Sequence, residues 1–163
     1  MRVKSLLIRL LLAALTVSPV TGTANSTIAI VVARNSEMTQ ADRLMTARKL
    51  RRIYRKQRIL WPDGQRIQPL NLVASNPLRT AFTQALFHRS LERMEAFWNQ
   101  AYFEGVSPPH VVDSQEAVLR FVSRVQGAIG YVAACRVDKR VKVIMTLESS
   151  TPLPDSLCHP DRP

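Results

Sequence analysis

Residues 28–32 read Ile-Ala-Ile-Val-Val, an unbroken run of β-branched and small apolar side chains. A half-exposed strand alternates polar with apolar residues, so a continuous run of this kind predicts a central strand buried on both faces. Elements able to cover two faces have to follow it, and the sequence supplies them. Thr46 can cap a helix whose Leu50, Ile53 and Tyr54 fall at the i, i+3, i+4 spacing, with basic residues on its other faces. Pro62-Asp63-Gly64 then marks a turn, and Ile67 to Leu72 reads as a second strand, where Pro69 argues for an edge or a strand end.

Further along, Ser75 and Asn76 precede Pro77, the favoured residue type at a first helical position, and Leu78, Phe82 and Leu86 repeat every four residues. Ser90 opens another helix, with Met94, Phe97, Trp98 and Ala101 as its apolar face, and Gly105 closes it. Asp113 followed by Glu116 matches a capping box ahead of the stripe Val118, Phe121, Val122, Val125. Ala128 to Ala133 and Val141 to Met145 complete the pattern as strands. The order is strand, helix, strand, helix, helix, short strand, helix, strand, strand. It predicts an α/β layer fold with a mainly parallel sheet and helices on its faces.

The ends read differently. Arg2, Lys4 and Arg9 precede the apolar stretch Leu10 to Val17, and Pro19 and Gly22 then break the run before Ala24. This is the pattern of an export signal, expected over residues 1–24; its apolar run of roughly eight to eleven residues falls below the ~20 needed to span a bilayer. The α/β domain is expected over 25–148, and the Pro-, Ser- and Asp-rich segment 149–163 as a disordered tail. Export places the chain in an oxidising compartment, where Cys135 and Cys158, the only cysteines, have the chance to pair. The sequence leaves that pairing open.

The 163 residues carry 23 Lys and Arg against 12 Asp and Glu, a formal net charge of +11. Seven of the positive charges crowd between Arg48 and Arg58, and three more would leave with the signal. The excess is therefore local, and a basic run on a helix is most often a solvated face. No phosphate-cradling glycine loop and no nucleophile elbow occurs, and His88, His110 and His159 have no metal-ligand spacing. The sequence predicts no catalytic residues, no metal and no cofactor.

Taken together, Ile28 to Asn35 (IAIVVARN), Leu50 to Tyr54 with Trp61 to Gly64, Ser75 to Phe82 (SNPLRTAF) and Gly127 to Val132 (GAIGYV) resemble the phosphate ABC-transporter substrate-binding proteins of the type 2 periplasmic binding protein fold. The resemblance covers about residues 28–145. It implies a three-layer α/β/α single lobe, shorter than the two-lobed members of that family, in the periplasm, serving phosphate or another oxyanion and working with a membrane transporter or sensor. It also places the ligand site at the helix start, on Ser75, Asn76, Arg79 and Thr80. A helix amino terminus favours an oxyanion through unpaired N–H groups and the positive end of its dipole. Pro77 removes one donor, and Leu72 stands about where relatives hold an arginine. The same residues fit equally well an ordinary N-cap with a surface arginine.

Two functions follow as expectations. One is an exported, noncatalytic oxyanion-binding domain. The other is a periplasmic interaction module whose basic helix face binds an anionic partner while the ligand site is vestigial. Nucleic acid is disfavoured as a partner, because no aromatic residues interleave the basic run and an export signal precedes it.

Overall fold

The computed structural model describes residues 26–37 and 44–159, so the expected export signal lies outside the described residues. The strands are β1 Thr27–Ala33, β2 Gln68–Leu72, β3 His110–Val112, β4 Ala128–Ala133 and β5 Val141–Glu148. The helices are α1 Ala47–Tyr54, α2 Pro77–Phe87, α3 Leu91–Phe103 and α4 Gln115–Arg124. All nine follow the order read from the sequence, and they build one five-stranded sheet in the order β3-β2-β4-β1-β5.

The run at residues 28–32 is indeed central. Ile28, Ile30 and Val31 are fully buried, and β1 is bonded to a strand on each side. Its two ladders, to β4 and β5, are both antiparallel, whereas β2 pairs in parallel with β3 and β4. Four strands thus point one way, and β1 alone is opposed. Strand β2 is interior, not an edge. Pro69 is tolerated because it pairs with β4 at the strand's first residues, before the ladder to β3 begins at Leu70.

Side chains on β4 alternate between two helical layers, which makes the domain α/β/α. Tyr131 stacks on Phe82 of α2, ring centroids 3.8 Å apart, and lies beside Tyr54 of α1. Gly130 turns to the other face, where an added Cβ would stand 2.5 Å from Val118 of α4. The Tyr131 hydroxyl donates to Asn71 Oδ1 (3.0 Å) and accepts from the Leu72 N–H (3.2 Å), so the polar end of the buried phenol is satisfied.

The cap of α4 is Ser114, whose hydroxyl accepts from the Ala117 N–H, and not Asp113 as the capping-box pattern predicts. Glu116 instead binds outward, both its oxygens taking the Arg140 guanidinium at 2.7 and 2.8 Å. Residues 149–159 also differ from the expected disordered tail. Leu153 and Leu157 are buried, a short 3-10 turn spans Asp155–Leu157, and a disulfide joins Cys158 to Cys135. Two apolar anchors without periodicity are invisible to a pattern reading, and here they lie just before a crosslinked cysteine.

The Arg140 cluster yields a pH prediction. Hydrogen bonds from Arg140 hold the Glu116 and Asp138 carboxyls below their usual range. Groups whose folded pKa is depressed stabilise the fold above their unfolded pKa, about 4, and that stabilisation disappears as pH falls through the folded values. Denaturant midpoints are therefore expected to fall between about pH 5 and pH 2. Arg140→Met should flatten that slope, and a slope unchanged by the substitution would refute the assignment.

Candidate functional site

In open α/β sheets, ligands bind outside the carboxyl ends of the strands, where successive connections diverge to opposite faces. That point is identifiable here. Strand β2 leads into α2, which covers the face carrying Tyr131, while β3 leads into α4, which covers the face carrying Gly130. Between them a crevice of about 230 Å³ is lined by Asn76 at the start of α2, Ser114 and Glu116 at the start of α4, Arg136 after β4, and Ser156 and Leu157 of the carboxyl-terminal segment. Two helix amino termini and one guanidinium face it, against one carboxylate that Arg140 already holds.

Of the residues expected from the sequence, Asn76 lines this crevice and Ser75 precedes it on exposed backbone. Thr80 is half-buried and lines neither this crevice nor the inner cavity described next. Arg79 points elsewhere. With Tyr54, Asn71, Phe82, Thr83, Phe87, Met94 and Trp98 it lines a cavity between α1, β2, α2 and α3. Three residues that the sequence reading missed, Ser114, Arg136 and Ser156, complete the crevice. Only Ser114 had a local signal, as a helix-capping residue type beside Asp113.

The start of α2 is largely self-satisfied. The Asn76 N–H donates to Val73 O, the Leu78 N–H to the Asn76 side chain at 3.0 Å, and the Arg79 N–H to Asn76 O, while Pro77 has no N–H. What this terminus offers an anion is therefore its dipole and side-chain groups rather than a ring of free amides.

The basic stretch around α1 is partly used in packing. Arg51 donates to Leu86 O at 3.1 Å, Arg55 lies over the rings of Phe87 and Phe97 at 5.4 and 5.8 Å, and Arg58 lies over Trp61. Burial, with the nearby Arg66 charge, lowers the Lys56 pKa. The Arg51 and Arg55 contacts join α1 and its carboxyl end to α2 and α3 through long stems and planar heads. Among the described residues, no helix is long and apolar enough to cross a membrane, and no group of three or more His, Cys, Asp or Glu is placed to hold a metal ion.

No family model matches the chain, and no curated relative does. Solved structures do. The fold is similar to an ABC-type phosphate transport receptor from Vibrio cholerae, with a TM-score of 0.57 and 24% identity over 82% of this chain and 51% of that one. It is similar to a putative phosphate ABC transporter substrate-binding protein with bound phosphate from Clostridium perfringens, with a TM-score of 0.57 and 17% identity over 74% and 45%. It is also similar to PstS from Borrelia burgdorferi, with a TM-score of 0.53 and 15% identity over 81% and 51%. The chain spans about half the length of the structures it matches, and it has the fold of a lobe of such proteins.

Proposed function

We propose, from the fold shared with phosphate-transport receptors, that this chain is an exported, noncatalytic binding lobe whose ligand is phosphate or another oxyanion, taken up in the crevice where α2 and α4 begin. The likeness to a structure solved with bound phosphate carries the reading. The positive ends of two helices and the Arg136 guanidinium support it. Asn76 acts from the cap of α2 and Ser114 from the cap of α4; Ser75 stands beside Asn76 on the exposed approach, while Thr80 and Arg79, on α2, lie outside the crevice. The Cys135–Cys158 disulfide supports export, since such bonds persist in oxidising compartments. A membrane transporter or sensor is the partner this reading implies.

A single lobe encloses its ligand on one side only, and the α2 amides are already engaged, so affinity near the millimolar range is expected. Calorimetric titration of the full chain with phosphate and with sulfate tests this. Arg136→Gln should weaken binding about tenfold, the loss of one charge-assisted contact. No heat up to about 10 mM of either anion would refute the oxyanion reading.

A further inference from the structure

Helix α3 turns a polarised stripe to solvent. Glu92, Glu95, Ala96, Asn99, Tyr102 and Phe103 recur at three- and four-residue steps and are all exposed, while Met94, Trp98 and Ala101 pack inward. The amino-terminal end of the stripe carries the two carboxylates. Its carboxyl-terminal end carries two aromatic rings, Tyr102 at 66% exposure and Phe103 at 90%, set edge to face. Single apolar side chains on a surface need no explanation, but adjacent exposed aromatics are what the centre of a protein interface is made of.

Beside the aromatic end runs a groove of about 260 Å³ between α3 and the carboxyl end of α1, where Arg55 and Lys56 stand with Phe97, Gln100 and Glu104. Among the described residues neither of these cations forms an ion pair, and neither do Glu92 and Glu95. Glu104, the groove's own carboxylate, accepts from the Gln100 amide instead. Burial and the nearby Arg66 charge already disfavour the ammonium of Lys56, so a carboxylate brought to it would be welcome. Acids at one end of α3 and bases beside the other do not meet within one chain. Turned end for end, the same surface complements itself, which is the condition a twofold axis imposes.

We propose that the exposed face of α3 is the contact between two copies of this chain, the two helices packed antiparallel about a twofold axis at Asn99. In that register each copy's Tyr102 and Phe103 cover Ala96 and the stem of Glu95 on the other, and each Glu92 reaches the groove that holds Arg55 and Lys56. The contact is one helix pair with a groove at either end, at the small end of specific interfaces, so a reversible dimer in the micromolar range is expected. It lies away from the crevice at Asn76, which α3 does not line. The oxyanion reading and this one fail separately.

Sedimentation equilibrium of the full chain tests the proposal. The wild type should pass from monomer to dimer as its concentration rises through the micromolar range. Phe103→Ser changes a side chain that the monomer leaves in water, so it should weaken the dimer about tenfold and leave the monomer's melting temperature unchanged. Glu92→Lys and Lys56→Glu should each weaken it about fivefold, and the chain carrying both should recover most of the loss, since the exchanged pair forms twice across the axis. Asn99→Cys should crosslink to its own copy through a short bismaleimide, because the two native cysteines are joined to each other. Arg120→Cys on α4 should not. A monomer at every concentration up to about 0.5 mM, a dimer indifferent to Phe103→Ser, charge reversals whose losses simply add, or equal crosslinking at positions 99 and 120 would each overturn the proposal.

Discussion

Gly127→Ala is expected to destabilise the fold by roughly 3 kcal/mol, a large part of the stability of a domain this size. Gly127 has φ of +75°, in the left-handed region, and a Cβ built there would overlap the carbonyl oxygen of Arg66. That oxygen belongs to backbone that is already constrained, because Arg66 is bridged to Leu60 and the next residue, Ile67, donates its N–H to Ile59 O. Gly127 cannot retreat either. Its own carbonyl accepts the Trp61 indole N–H at 3.0 Å and the Gln68 N–H, so it fastens the hairpin around Pro62 to the start of β2. Gly105→Ala is the control, with nearly the same dihedral, φ of +81°, but no atom within 4 Å of the new Cβ. It should cost only the conformational term, about 1 kcal/mol. Urea denaturation of both variants separates strain from collision. Equal losses would show that the contact with Arg66 carries no weight.

The contrast between those two glycines also marks what a sequence can tell. Punctuation is local, so Gly105 was readable as the end of a helix. Periodicity is local too, and it placed Leu50, Ile53, Phe82, Met94, Trp98 and Val122 in the interior, as the structure does or nearly does. What depends on which surfaces meet was not readable. The direction of β1 follows from its insertion between β4 and β5, and Ile28 to Val32 would be as apolar in either orientation.

The site shows the same limit. Asn76 and Arg79 are three positions apart on α2, close enough to be read as one anion cluster, yet the helix sends them to different cavities. Arg79 follows Leu78 and precedes Phe82 and Thr83, all buried, so its place on the inner side is consistent with the helical period. A charge normally argues for the outer face, and that expectation outweighed the period. Arg136 and Ser156 enter the crevice from segments without regular structure, after β4 and beyond β5, and only the folded sheet brings them beside Asn76 and Ser114.

Cys158→Ser is expected to lower stability by about 3 kcal/mol, roughly 10 °C in melting temperature, and to change the crevice as well. The disulfide closes a loop with a sequence separation of 23, which includes the whole of β5, and a crosslink of that span removes considerable freedom from the unfolded chain. In the folded state it holds Leu153 and Leu157 against the core. It also seats Gln115, a buried residue whose Nε2 donates to Leu157 O at 2.9 Å while its Oε1 accepts the Ala133 N–H at 2.7 Å. Without the crosslink, opening of this segment leaves the Leu157 and Gln115 groups to be satisfied by water. Residues 149–159 should then become the first site of proteolysis, and a melting temperature within about 1 °C of the wild type would refute the tether.

The binding consequence is separable from the stability. Ser156 and Leu157 line the crevice together with Asn76 at the start of α2. If that lining contributes to oxyanion capture, Cys158→Ser should weaken phosphate binding well below the unfolding midpoint. Gln115→Leu, with the disulfide intact, should weaken it less. If phosphate affinity is the same in Cys158→Ser and the wild type while the protein remains folded, the segment is a strap for the fold alone, and the crevice binds through α2, α4 and Arg136.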